Sequence, residues 1–284
     1  MLASRVMTDD FLLGADMRVH RLGLGAMRLA LGGRIRDPKD GIAILRRAAE
    51  LGVNHIDTAA SYGAGALHAH DMIRQALRPY PTDLVIATKV GAMLEHGDPA
   101  TAQRRLIEQD LRRLGRDHLD LVYLRTSGMG QPGGESVGDR FAALAQLRQE
   151  GLVRHLGLSH VDTGQLAEAL SIAPVAAVQN RLGVPHHADA VLARCEQDGI
   201  AYVPYFPLGG GRPRLDQSIL AAIAAGHGAT AAQAALAWLL TASPVTLAIP
   251  GTSSLDHLTE NLAAAGLRLT PDDLAQLHGE PLAG

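Results

Sequence analysis

Gly52-Val53-Asn54-His55-Ile56-Asp57-Thr58-Ala59-Ala60-Ser61-Tyr62-Gly63 is the stretch from which the fold is read. Before it, Asp40–Leu51 carries apolar residues three to four apart, the spacing of a helix, and Gly52 marks its exit. After the glycine, Asn54–Asp57 is too short for a helix and reads as a buried parallel strand. It closes on a carboxylate, and a polar loop with Tyr62 follows. The same rhythm recurs along the chain. Strands are expected at Arg21–Gly25, Leu84–Thr88, Leu119–Leu124, His155–Leu158, Ala176–Gln179, Ala201–Tyr205 and Thr246–Ile249. Helices are expected at Pro99–Leu114, Gly138–Gly151, Asp162–Ile172, His187–Asp198, Thr230–Leu240 and Leu255–Ala264.

Eight strands alternating with helices predict an α/β protein of the closed (β/α)8 barrel, or TIM barrel, type. The competing architecture is an open doubly wound sheet, which is marked by a glycine-rich phosphate turn after its first strand. Here Gly23-Leu24-Gly25 runs into Ala26-Met27-Arg28, and the third glycine is missing. No linker, repeat or low-complexity tract interrupts the 284 residues, so residues 1–284 are expected to form a single domain. Ahead of the first strand, Phe11–Val19 with Gly14-Ala15-Asp16 at its centre has the makings of a small hairpin.

Composition narrows the class. Apolar residues make up 47 % of the chain, enough for a large core. The formal net charge is −3 and the pI about 6.5, which gives no electrostatic footprint for nucleic acid. The one cysteine, Cys195, cannot form an internal disulfide, which fits a reducing compartment. No basic leader with an apolar stretch begins the sequence and no run of about 18 apolar residues occurs, so a cytoplasmic protein without a membrane span is expected. There is no His-Glu-x-x-His helix, cysteine cluster or Gly-Lys-Ser/Thr phosphate loop, and no metal site is expected. His186-His187 reads as surface decoration and Cys195 as a small packing residue.

Barrel enzymes carry their chemistry at the C-terminal strand ends. Asp57 closes the second expected strand, Tyr62 follows in its loop, and Lys89 closes the third. A carboxylate, a phenol and an amine at such a mouth can donate a proton in carbonyl chemistry. An ordinary tyrosine titrates near 10 and holds its proton at neutral pH. A neighbouring ammonium stabilises phenolate and makes the phenol a better acid. The alternative is a structural Asp57–Lys89 ion pair with Tyr62 as loop packing.

Taken with Thr88-Lys89-Val90-Gly91, Gly157-Leu158-Ser159-His160 and Ile249-Pro250-Gly251-Thr252-Ser253-Ser254, this pattern resembles the aldo-keto reductases, from about Leu22 to about Leu277. The resemblance implies that Asp57, Tyr62 and Lys89 are catalytic and that a hairpin bearing Phe11, Leu13, Met17 and Val19 plugs the barrel bottom. It makes Arg125, after Asp120-Leu121-Val122-Tyr123-Leu124, the fourth catalytic member, a donor to the carbonyl oxygen or another substrate acceptor where the common pattern has histidine. It also implies a nicotinamide cofactor, NADP(H), against Gly25, Met27 and Asp57. The carboxamide would be held by Ser159, His160 (for the usual asparagine) and Gln179. Tyr205 would stack on the ring, and Pro207, Leu208, Gly209 and Gly211 would line the pyrophosphate. The remaining contacts implied are Ile249, Gly251, Thr252, Ser253, Ser254, His257, Glu260 and Asn261. At the 2′-phosphate, Gly251 and His257 stand where the family usually has Lys and Arg.

Gly52–Asp57, Leu124-Arg125, Tyr202-Val203-Pro204, Phe206–Gly210 and Ile249–Ser254 look like the bacterial pyridoxal reductase-like subgroup. That implies reduction of an aldehyde, pyridoxal among them, to the alcohol, with the proton from Tyr62. The alternatives are another family member acting on sugar or other carbonyls, a cofactor-sensing partner subunit without fast turnover, and a barrel isomerase or aldolase with Lys89 as a Schiff-base amine. The oligomeric state is left open.

Overall fold

The computed structural model describes residues 10–91, 98–126, 132–182, 189–209 and 215–278. An antiparallel hairpin comes first, β1 (Asp10–Leu13) with β2 (Met17–His20), turned by Gly14 and Ala15 at φ of 62° and 71°. Then come β3 (Leu24–Gly25), α1 (Met27–Ala30), α2 (Pro38–Glu50) and β4 (His55–Asp57). A small ribbon, β5 (Gly63–Ala64) with β6 (Leu67–His68), precedes α3 (Ala69–Leu77). The alternation continues through β7 (Val85–Val90), α4 (Pro99–Leu114), β8 (Leu119–Arg125), α5 (Gly138–Gln149), β9 (Val153–Ser159) and α6 (Thr163–Ile172). It ends with β10 (Ala177–Gln179), α7 (Ala190–Asp198), β11 (Ala201–Tyr202), α8 (Gln217–Gly226), α9 (Ala231–Thr241), α10 (Leu255–Ala263) and α11 (Pro271–His278).

Seven parallel strands lie in the order β11-β10-β9-β8-β7-β4-β3. The stretch 246–249 joins the two edges. Tyr202 pairs with Thr246, and Leu22 pairs with Ala248, both parallel. Leu247 N donates to Tyr202 O at 2.8 Å, and Gly23 N to Ala248 O at 2.8 Å. The sheet is therefore closed into the eight-staved barrel that the alternation predicts. The expected strand Thr246–Ile249 makes only single bridges on each side, because Pro250 has no N–H with which to extend a ladder. Ala201–Tyr205 is likewise cut to its first two residues ahead of Pro204. Leu84–Thr88 is shifted to Val85–Val90, which puts Lys89 inside the strand.

Capping fixes where helices begin. Asp98, Asp162, Asp189, Asp216 and Thr230 each accept a backbone N–H of the first turn. Asp37, with Pro38 at the first helical position, opens α2 three residues earlier than the expected Asp40. Position 187, the expected start of α7, lies outside the described residues. Four helices are additions to the sequence reading: α1, α3, α8 and α11. The first two have no side-chain cap at all, so they give no entry signal.

Two bodies of apolar contact result. The larger lies between strands and helices. The smaller fills the barrel: Leu13, Met17 and Val19 of the hairpin meet Val85, Ala87, Leu121, Tyr123, Ala177, Val203 and Leu247, with Phe11 partly buried against them. The hairpin thus plugs the barrel floor. Asp16 latches it to β9, 2.9 Å from Arg154 and 2.7 Å from His155. Gly157 is required by the Tyr123 ring: a Cβ there would stand 2.6 Å from Tyr123 Cδ1 and 2.9 Å from Ala177 O.

Candidate active site

At the C-terminal mouth, β4, β7 and β10 deliver three side chains that meet over the barrel centre. Lys89 Nζ lies 2.6 Å from Asp57 Oδ1, with both side chains 4 % exposed. The same ammonium donates to Thr58 O at 2.9 Å. Gln179 Nε2 reaches across the barrel to donate to Asp57 Oδ2 at 2.7 Å. Both oxygens of the carboxylate are therefore engaged, as a buried charge requires. The Tyr62 ring stands over the pair, its centroid 5.2 Å from Lys89 Nζ. Burial alone would pull the lysine down. The Asp57 charge, Tyr62 and the hydrogen bonds to both outweigh it and hold the ammonium above its ordinary range.

Beneath this layer the barrel is packed with two further titratable groups. The Tyr123 ring centroid is 5.8 Å from Lys89 Nζ, and burial, then the Asp57 charge, push its phenol well above the usual range. His55, two residues before Asp57 and on the same strand face, is fully buried. Desolvation lowers it to about 4, against the pull of Asp57, and the imidazole is neutral.

A cavity of about 320 Å³ opens above the ion pair. Its walls include Gly25, Met27, Asp57, Tyr62, Lys89, Arg125, Ser159, His160, Gln179, Tyr205, Pro207, Leu208, Ile249 and Gly251, all expected from the sequence. Arg28, Phe206 and Pro250 line it as well, and sequence reasoning did not single them out as site residues. Tyr205 and Phe206 pack edge to face at 5.5 Å, and the Tyr205 hydroxyl is 3.3 Å from His160 Nδ1. His160 holds φ at 63°, in the left-handed region that asparagine and histidine enter more readily than most residues.

The other expected contacts lie away from this cavity. Gly209 is buried beside it, facing Leu215, Leu220 and Trp238. The Thr252 hydroxyl is spent within its own turn, accepting from Ser254 N at 3.0 Å. Ser253 Oγ accepts from Arg34 N at 3.2 Å, and Ser254 caps α10 by accepting from His257 N. Glu260 accepts from Thr230 Oγ1, the cap of α9, at 2.6 Å, and Asn261 is buried. Gly211 lies outside the described residues.

The residues present fit a nicotinamide dinucleotide. Gly25 and Gly251 face each other so closely that a Cβ on Gly25 would stand 2.7 Å from Ile249 O, and one on Gly251 2.8 Å from Gly25 O. Backbone, not side chain, therefore lines that wall. Ser159 brings a hydroxyl, the Gln179 Oε1 an amide acceptor, and Tyr205 an aromatic face, which is the donor set a carboxamide-bearing ring requires. Among the described residues no group of three or more His, Cys, Asp or Glu is placed to hold a metal ion.

Fold and mouth together define an α/β-barrel oxidoreductase site, and residues 21–279 match the Aldo/keto reductase family: the chain belongs to that family. Pyridoxine 4-dehydrogenase of Escherichia coli (strain K12) is 46 % identical over 286 residues, covering 96 % of this chain and 98 % of that one. An uncharacterized oxidoreductase of Schizosaccharomyces pombe is 40 % identical, covering 93 % of this chain and 88 % of that one. The crystal structure of an aldo-keto reductase from Klebsiella pneumoniae in complex with NADPH superposes with a TM-score of 0.80 at 28 % identity, covering 96 % of both chains.

Proposed function

We propose that this protein is an NADP(H)-dependent reductase of small aldehydes, with pyridoxal and its alcohol as the substrate pair. The observation that carries the reading is the buried Lys89–Asp57 pair at 2.6 Å beneath the Tyr62 ring, at the floor of a cavity whose lining suits a nicotinamide ring. The pyridoxine 4-dehydrogenase relative supports the substrate, and the NADPH-bound relative supports the cofactor.

When bound, the nicotinamide supplies or takes up the hydride. The chain's own residues handle the proton and the geometry. Tyr62 gives its hydroxyl proton to the oxygen that gains charge as the carbonyl carbon is reduced. Lys89, kept charged, stabilises the phenolate left behind, which takes its proton back from solvent once the alcohol has left. Asp57 holds Lys89 in place, and Gln179 holds Asp57 from across the barrel. Arg125 offers a planar fork of donors to an acceptor ortho to the aldehyde, such as the phenolic oxygen of pyridoxal. In the reverse direction the same groups remove the proton of the alcohol. Lys89 is a poor candidate for a Schiff-base nucleophile, because it is held protonated by Asp57 and Thr58.

The remaining parts of the reading are a single domain over residues 1–284 and a cytoplasmic location. Cys195 is buried, and desolvation pushes its thiol up to about 12, so it serves as packing and not as a redox group. An NADPH-oxidation screen over aldehydes, with pyridoxal among them, tests the function. Turnover of pyridoxal well above that of aldoses supports it. Oxidation of NADPH by none of the aldehydes overturns it.

A further inference from the structure

The loop that leads into α10, residues 249–257, has a turn and a helix start suited to an anion but contains no lysine or arginine. A helix N-terminus supplies only about half an elementary charge, whereas a phosphate monoester carries roughly −1.5 to −2 at neutral pH. Asp256, in the first turn of α10, works against an anion as well. A phosphate at that loop therefore needs cations from elsewhere.

The neighbouring helix α1 and its connection to α2 carry them. Arg28 lays its stem over Gly251, where a Cβ would stand 3.3 Å from Arg28 Cγ, and its guanidinium donates to Gly32 O. That contact braces the arm 32–36 against the α10 loop. Gly33 packs on Ser253, with a Cβ there 3.3 Å from Ser253 Cβ. The next residue donates its backbone N–H to Ser253 Oγ at 3.2 Å. That residue is Arg34, and its side chain is exposed. Arg36, two residues on, folds its guanidinium back onto Gly33 O and Ile35 O at 3.1 and 2.8 Å. Among the described residues, Arg34 has no ion-pair partner.

We propose that Arg34, carried on the arm braced by Arg28, supplies the charge that selects an adenosine 2′-phosphate at the Ser253–Ser254 turn. The selectivity for NADP(H) is thereby moved from the loop of the closing strand to the loop of the first. This inference rests on the cofactor reading above and names the residue that sets its preference.

Equilibrium fluorescence titration with NADPH and NADH, without substrate, tests it. The wild-type protein is expected to bind NADPH at least tenfold more tightly than NADH. Arg34→Ala should weaken NADPH binding about tenfold or more and leave NADH within twofold, because its backbone N–H to Ser253 is kept. Arg36→Ala removes the same charge nearby and should leave the ratio within twofold. Adenosine 2′-monophosphate should compete with NADPH better than the 5′ isomer in the wild-type protein and lose that advantage in Arg34→Ala. An unchanged NADPH preference in Arg34→Ala, or an equal loss in Arg36→Ala, overturns the inference and leaves the cofactor reading standing. Binding of neither nucleotide by the wild-type protein overturns both.

Discussion

Replacing Lys89 by methionine removes one partner of a fully buried ion pair and keeps the length of the side chain. Asp57 is then left as an uncompensated charge, 4 % exposed, beneath the Tyr62 ring. Removal of one member of such a pair costs about 3–5 kcal/mol. Gln179 still donates to Asp57 Oδ2 at 2.7 Å, which places the expected loss at the lower end, about 3 kcal/mol. The deficit should shrink in mild acid, where the stranded carboxylate can take up a proton. Replacing both residues, Asp57→Asn with Lys89→Met, removes the stranded charge, so the double variant should be more stable than the sum of the single losses by about 2 kcal/mol. Urea unfolding at pH 7, followed through Trp238 fluorescence, gives all four corners of the cycle. A Lys89→Met loss below about 1 kcal/mol would refute the reasoning. So would a coupling within the roughly 0.5 kcal/mol that independent sites show. Either result would mean that water or an alternative rotamer compensates Asp57, and that the pair does not hold the ammonium in place.

His55 should make stability depend on pH. Its folded value of about 4 lies below the ordinary 6.5, so the unfolded chain binds the extra proton between those limits and stability falls as pH drops through that window. The full effect is about 3 kcal/mol, and His55→Leu should flatten the urea midpoint between pH 6.5 and 4 relative to the wild-type protein. Gly157→Ala should cost about 1–3 kcal/mol, because the added methyl meets both the Tyr123 ring and the Ala177 carbonyl; a neutral substitution in thermal unfolding would contradict the placement of that ring. Arg125→His should cost about 1.5–3 kcal/mol more in kcat/KM with pyridoxal than with benzaldehyde, the range of a hydrogen bond to a charged group. Equal losses would show that Arg125 does not read the ortho acceptor.

The barrel was legible because the strands are short and apolar and alternate with segments of helical spacing, and because Asp57, Lys89, Arg125, Ser159 and Gln179 stand at or just past strand ends. The strand-end order of Asp57, Lys89, Arg125, Ser159 and Gln179 needs only chain order, and the cavity contains all five. What was not legible depends on tertiary contact. The Gln179–Asp57 hydrogen bond joins residues 122 positions apart, and no local pattern encodes it. Arg28, in the short α1, and Arg34, in the connection that follows, read as ordinary surface residues until their packing on Gly251 and Ser253 is seen. α3 lacks a side-chain cap, and its buried Ala69, Met72, Ile73 and Leu77 show their helical face only against the neighbouring helices. The contacts of Thr252 with Ser254 and of Glu260 with Thr230 are likewise seen only in the fold.

Tyr62→Phe removes the hydroxyl, with its proton and its hydrogen bond to Lys89, and leaves the Asp57–Lys89 pair beneath it in place. NADPH titration and single-turnover oxidation of bound NADPH by pyridoxal, each on wild-type protein and variant, read the two halves of the account separately. The expected result is NADPH binding within about twofold of the wild-type protein and a rate at least about a hundredfold lower, the usual contribution of a positioned general acid. A variant that oxidises NADPH at the wild-type rate would contradict the assignment of Tyr62 as the acid.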